Sequence, residues 1–149
     1  MAKYFSYYEF IKSDTANKLG IDNTPVSEKV KNNIIRLMRI MDKIRTEWTV
    51  YCEENYLGSA AIIVNSGYRC EALNKAVNGS KTSAHKIGAA CDFEAINGHN
   101  KELFEVTKRV LLDNDIPFDQ LLDEYNLSWI HLGIKNQSGQ TRKQIFEID

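Results

Sequence analysis

The chain has 149 residues, 43% hydrophobic and 26% charged, with a formal net charge of -1. That length supports one domain, residues 1–149, with a substantial core that needs no disulfide or structural metal. Lys and Arg are scattered, so there is no basic field for nucleic acid, and nucleic-acid binding is set aside.

In chain order, the opening stretch MAKYFSYYEFIKSD has no apolar signal core, and no apolar run approaches the ~20 residues of a membrane span. The expectation is a soluble chain made in the cytoplasm without a signal peptide, reaching any external target by another route. Ser6-Tyr7-Tyr8-Glu9 has capping-box spacing and opens a short helix. Asp14 is placed to cap a second turn through Ala16 and Leu19, with Gly20 as its left-handed stop. Thr24-Pro25 then reads as an N-cap followed by proline at the first helical position. Beyond it Val26, Val30, Ile34, Leu37, Met41, Ile44 and Trp48 recur at helical spacing, one apolar stripe on a long core helix.

Ala61 to Val64 is a short buried strand ended by the turn-prone Asn65-Ser66-Gly67. A helix follows over Glu71 to Val77, closed by Asn78-Gly79. Gly88 to Ile96 reads as a strand, and Asn100 is placed to cap a helix carrying Leu103, Val106, Val110 and Leu111. Past Pro117, Asp119 to Tyr125 and Ser128 to Ile134 form a hairpin, and Gln144 to Ile148 adds an edge strand. Helices first and antiparallel strands later predict an α+β fold, the N-terminal helices packed on one face of a mainly antiparallel sheet. Cys52, Cys70 and Cys91 form no C-x-x-C pair, which points to structural thiols rather than disulfides or a zinc knuckle.

The chemistry concentrates in two segments, S-A-H-K-I-G-A-A-C-D at Ser83 to Asp92 and W-I-H-L-G at Trp129 to Gly133. Strand alternation turns Asp92 and Glu94 one way and Cys91 and Phe93 the other. Likewise Trp129, His131 and Gly133 share a face opposite Ile130, Leu132 and Ile134. His85 comes from the loop before the Asp92 strand. Two histidines and an aspartate can close three sides of a tetrahedral zinc site, and a catalytic zinc keeps its fourth position open. His99, in the turn Asn97-Gly98-His99-Asn100, reads as exposed and outside this set.

The first segment matches the S-x-H-x-x-G-x-A-x-D signature of the zinc D-Ala-D-Ala carboxypeptidases, peptidase family M15. Ser13-Asp14-Thr15-Ala16, Gly20 to Pro25, Val64 to Arg69, Leu73-Asn74, Phe118 to Leu121 and Trp129-Ile130-His131 resemble the short phage and prophage branch of that family. The resemblance covers nearly the whole chain. It implies the D,D-peptidase and Hedgehog-like fold, one Zn²⁺, and His85, Asp92 and His131 as its ligands.

Further roles follow from the resemblance alone. It places Glu124 as the general base, with the adjacent Asp123 as the alternative should the strand register shift by one. Arg69 would pair with a substrate carboxylate or the developing oxyanion. Ser83 would bond the substrate backbone or cap the loop that presents His85, while Gln120 and Asn74 would brace the site. The expected activity is hydrolysis within bacterial peptidoglycan stem peptides, by a monomer. The target is a terminal D-Ala-D-Ala bond, an L-Ala-D-Glu bond or an interpeptide cross-link. The wall would be reached after release or as part of a phage particle. The rival expectation is a non-catalytic zinc-binding module, as in Hedgehog domains, which resemble the same fold.

Overall fold

Ser6 and Glu9 open the first element, a 3-10 helix at Tyr7–Phe10, in a computed structural model that describes residues 3–148. The Glu9 carboxylate accepts from the Ser6 N–H at 2.9 Å, the contribution that glutamate makes to a capping box. Helix α1 spans Asp14–Leu19 and stops at Gly20, left-handed at φ 67°. Its cap is Ser13 rather than the predicted Asp14, for the Ser13 hydroxyl accepts from the Ala16 N–H at 3.1 Å.

Helix α2, Glu28–Glu54, also starts later than Thr24-Pro25 predicts. The neighbouring Asn23 side chain explains the delay. It donates to the Ile11 and Tyr68 carbonyls, both at 2.9 Å, and accepts from the Cys70 N–H at 2.8 Å. Those bonds hold the chain against two other segments before it can turn into the helix. Val26 is left 88% exposed, and Ser27 becomes the N-cap. From there the stripe behaves as its period requires. Ile34, Leu37, Met41, Ile44 and Trp48 are buried, joined by Ile40 and Cys52.

The remaining elements are β1 (Ile62–Ser66), α3 (Glu71–Ala76), a 3-10 turn at Ala84–Ile87, β2 (Ala90–Ala95), α4 (Asn100–Asp113), β3 (Gln120–Glu124), β4 (Trp129–Gly133) and β5 (Gln144–Ile148). The sheet order is β1-β2-β4-β3-β5. Its first four strands run antiparallel, and β5 lies parallel to β3. The architecture is α+β with a mostly antiparallel sheet. Asn100 does not cap α4. Its side chain accepts from the Ala95 N–H at 2.7 Å and donates to the Leu127 carbonyl at 2.7 Å, joining the end of β2 to the β3–β4 turn. Among the described residues no helix is long and apolar enough to cross a membrane. Cys52 and Cys91 are buried, Cys70 is half-buried, and all three are free.

Alternation along the central strands sorts their side chains. Cys91 and Phe93 of β2, Leu121 of β3, and Ile130 and Leu132 of β4 are fully buried. They join one core with the stripe of α2 and with Leu103, Val106, Val110 and Leu111 of α4. The residues between them, Asp92, Leu122, Glu124, Trp129 and His131, therefore point from the opposite face.

One close backbone approach links this core to the polar face. The Tyr68 N–H donates to the Phe10 carbonyl at 2.7 Å, and a Cβ on Gly67 would come within 2.3 Å of that carbonyl oxygen. Backbone cannot yield there as a flexible side chain would. Gly67→Ala is expected to cost about 1–3 kcal/mol, the usual cost of overpacking, measurable as a lowered midpoint in urea. Because the Gly67 carbonyl accepts from His85 Nδ1 at 2.7 Å, the same variant should bind metal more weakly; unchanged affinity would show that this bond does not set the ring's position.

Candidate active site

The register of three strands assembles the polar face. In the β2–β4 pair Asp92 lies directly opposite His131, and in the β3–β4 pair Leu122 faces His131 while Glu124 faces Trp129. Directly opposed residues hold their Cβ atoms about 5 Å apart, so Asp92 and His131 meet without any loop to position them. His85 arrives from the 3-10 turn Ala84–Ile87, whose cap is the Ser83 hydroxyl accepting from the His85 N–H at 3.2 Å. Gly88 ends that turn at φ 72°, where an added Cβ would lie 2.8 Å from Ile34 of α2 and 2.9 Å from the Val30 carbonyl. Only glycine meets both demands, a left-handed backbone and contact with α2.

The three side chains converge. His131 Nδ1 is 2.8 Å from Asp92 Oδ1, and His85 Nε2 is 3.4 Å from the same oxygen. One ligand atom from each residue lies within 4.8 Å of the others, a spacing that can hold a metal ion. The donor chemistry fits as well. His85 donates Nδ1–H to the Gly67 carbonyl at 2.7 Å, which in the neutral ring leaves a bare lone pair on Nε2. That lone pair faces a carboxylate oxygen, acceptor against acceptor, and a cation between the two groups resolves the conflict. Burial pushes the Asp92 carboxyl upward, but the hydrogen bond from His131 leads the effects that outweigh it and hold the group well below the ordinary carboxylate range.

Arg69 stands behind this group. Its Nη2 is 3.6 Å from Asp92 Oδ2, while Nε donates to the Ser66 hydroxyl at 3.1 Å and Nη1 to Asn74 Oδ1 at 3.4 Å. Asn74 is thus a brace, and its amide also donates to the Ser80 carbonyl at 2.9 Å. Burial lowers the pKa of the Arg69 guanidinium, against the raising pull of Asp92 and Glu124.

Glu124 and Asp123 fall on opposite faces of β3. Glu124 shares the His131 face, and its Oε2 accepts from the Trp129 indole N–H at 2.7 Å. Asp123 turns inward opposite Ile130, where its Oδ1 accepts from the Leu127 N–H at 2.6 Å. That bond steadies a turn in which Tyr125, Asn126 and Leu127 all have positive φ, between 51° and 61°. Three successive left-handed residues without a glycine are costly, and a buried carboxylate with the Asn100 amide offsets the cost.

His85, Asp92, His131, Arg69 and Glu124 open onto one cleft of about 930 Å³. A family model described as Peptidase M15 matches residues 3–133. The chain belongs to the M15 peptidase family. No curated protein matches it. Membership supports peptide-bond hydrolysis, and the residues of this M15 peptidase that the motif singles out all lie in or beside the cleft. His85, Asp92, His131, Arg69 and Glu124 meet there; Ser83 and Gln120 line it. Ser83 spends its hydroxyl on capping the His85 turn, and Gln120 donates to Gln144 Oε1 at 3.0 Å. His99 stands apart, 3.3 Å from Glu102 at the start of α4.

Two cleft features escaped the sequence reading. Tyr125 packs on Trp129 with ring centroids 4.9 Å apart, forming an aromatic wall beside Glu124. At the other end, Arg142 forks onto Asp119, with Nε 2.7 Å from Oδ1 and Nη2 2.8 Å from Oδ2. The fork holds the Asp119 carboxyl below its ordinary range, and Asp119 in turn raises Arg142. No periodicity announces such a pair, because its partners lie 23 positions apart and meet only when β5 joins β3.

Proposed function

We propose that this chain is a zinc-dependent peptidase of bacterial peptidoglycan stem peptides, cutting at a D-Ala-D-Ala or an L-Ala-D-Glu bond. The observation that carries the reading is the convergence of His85, Asp92 and His131 in a cleft whose same face presents Glu124. His85, Asp92 and His131 would hold the ion. Once bound, zinc supplies Lewis acidity that polarises a carbonyl and brings the pKa of water toward about 7.

The side chains supply the rest. Glu124 accepts a proton from the attacking water and delivers it to the departing amine. The Trp129 indole N–H holds one carboxylate oxygen of Glu124, which fixes the direction of the other. Arg69 offers positive charge where the scissile carbonyl oxygen becomes negative, and its bonds to Ser66, Asn74 and Asp92 keep it from reorganising during the step. Peptide stems suit the cleft because its lining is mixed, with the Tyr125–Trp129 pair at one end and polar groups at the other. A route to the wall after release, or as a phage component, goes with this substrate. Glu124 also separates this reading from a non-catalytic zinc module, which has no use for a proton acceptor on the metal face.

The test is mass spectrometry of defined muropeptides incubated with zinc-loaded protein and with a chelated sample. Chelator-sensitive loss of a terminal D-Ala is the D,D-carboxypeptidase outcome, and a cut between L-Ala and D-Glu the endopeptidase outcome. Zinc in place with every stem intact would assign the chain to the non-catalytic module.

A further inference from the structure

The cleft carries a second guanidinium that the proposed chemistry leaves unused. Among the described residues lining it, Arg69 and Arg142 are the two with guanidinium groups, and no lysine joins them. Their situations differ. Arg69 has all three of its nitrogens engaged by Ser66, Asn74 and Asp92, and its side chain is only 17% exposed. Arg142 is 41% exposed, while the Asp119 side chain behind it is 4% exposed. Arg142 uses Nε and Nη2 on Asp119, and among the described residues Nη1 has no hydrogen-bond partner. Its backbone N–H also donates to Asp119 Oδ1 at 3.1 Å. The guanidinium is therefore fixed from behind and open in front. A pre-set planar fork loses little rotamer freedom on binding, and carboxylate is the planar anion it matches.

Position along the sheet gives the fork a direction. Asp119 immediately precedes Gln120, which pairs with Gly133, and Gly133 is two positions from His131 on β4. At roughly 3.3 Å per residue Gln120 lies about 7 Å along the strand from His131, and the fork's anchor Asp119, one residue further, about 10 Å. Glu124 pairs with Trp129, two positions from His131 on the other side. A peptide laid along β4 thus meets the Glu124 carboxylate at one end and, at the other, the open edge of a guanidinium whose countercharge Asp119 is buried behind it. Its own carboxylate is repelled from the first and attracted to the second.

We propose that Arg142 is a specificity residue that binds a carboxylate of the substrate peptide, within about three residues of the bond cut, and so sets the direction in which the peptide lies. The proposal rests on the peptidase reading and deepens it. Arg142 lies beyond the residues 3–133 that the family match covers. The competing role is mechanical, the Asp119–Arg142 pair pinning β5 against β3 without touching substrate.

Dissociation constants measured by calorimetry separate the two roles without requiring turnover. The probes are a stem pentapeptide and the versions of it in which each carboxylate is converted in turn to the amide. So that the probes stay uncut, each is titrated into zinc-loaded Glu124→Gln protein carrying Arg142, Arg142→Gln or Arg142→Lys. With Arg142 present, one of the conversions is expected to weaken binding about 10–100-fold, the range of a charge-assisted bidentate contact. In Arg142→Gln the same conversion should change affinity little, and Arg142→Lys should keep part of the preference. Should the Gln variant fail to fold, the Lys variant, which keeps the charge toward Asp119, still gives the ratio. A purely mechanical pair leaves the acid-to-amide ratio the same in all three proteins, and that result, or no acid preference in the protein that keeps Arg142, overturns the proposal. Hydrolysis assays on the same peptides keep the readings apart. Cleavage without acid preference removes only the role of Arg142, whereas acid-selective binding without cleavage removes only the peptidase.

Discussion

Glu124→Gln is expected to lower peptide hydrolysis by about 10²- to 10⁴-fold, the range that a positioned general base contributes, while leaving bound metal unchanged. The geometry makes the test clean. Glutamine keeps the length and shape of the side chain, and its amide oxygen can still accept from the Trp129 indole N–H that lies 2.7 Å from Glu124 Oε2. What disappears is the capacity to take up a proton. None of the three converging groups, His85, Asp92 and His131, touches Glu124 through a hydrogen bond, so metal affinity has no reason to fall. Turnover and metal content measured on the same preparation decide the matter. Full turnover would remove Glu124 from the mechanism. Lost turnover together with lost metal would make the effect structural.

The second large effect belongs to His131→Ala, which is expected to lose the metal at concentrations that saturate the unaltered chain. Removal of an outer partner of a metal ligand already weakens affinity about 10- to 100-fold, and loss of a ligand should exceed that. Stability gives an independent readout. Ligand bound only to the folded state at about 1,000 times its dissociation constant adds about 4 kcal/mol, so zinc should raise the melting temperature of the unaltered chain and not that of His131→Ala. The metal-free melting temperature should fall modestly, by what about 1–3 kcal/mol takes from it, because Asp92 loses the His131 Nδ1–H that lies 2.8 Å from its Oδ1. His131 projects from the polar face of β4, and its neighbours Ile130 and Leu132 hold the core contacts. Full metal occupancy in the variant, by elemental analysis after dialysis, would refute the ligand set.

How legible this arrangement was depended on how local each signal is. The stripe of α2 and the alternation in β2 and β4 follow from periods of 3.6 and 2, which are properties of the backbone itself. They placed Trp48, Phe93 and Ile130 in the core and Asp92 with His131 on the other face. Caps were less legible, because several polar residues near a helix start compete for the same role. Ser13 capped α1 in place of Asp14, and Ser27 capped α2 in place of Thr24. In the second case Asn23 had bound three backbone groups from distant segments, a constraint invisible in the local string. Asn100 departed from its expected cap for the same reason, drawn to Ala95 and Leu127.

The sequence by itself determined the chemistry available to this protein: two histidines, an aspartate, an arginine and paired acidic residues, carried in segments whose spacing resembles the M15 peptidases. Residue type and period are written in the string, and the family match over residues 3–133 agrees with them. Only the tertiary structure decided which of those groups meet. Register across β3 and β4 put Glu124 on the His131 face and sent Asp123 inward to the turn, since a one-residue difference reverses a side chain's face. The pairing of β5 with β3 brought Arg142 to Asp119 at the mouth of the cleft. Contacts of that kind depend on how separate strands are laid side by side, a choice made by the whole core and not by any one segment.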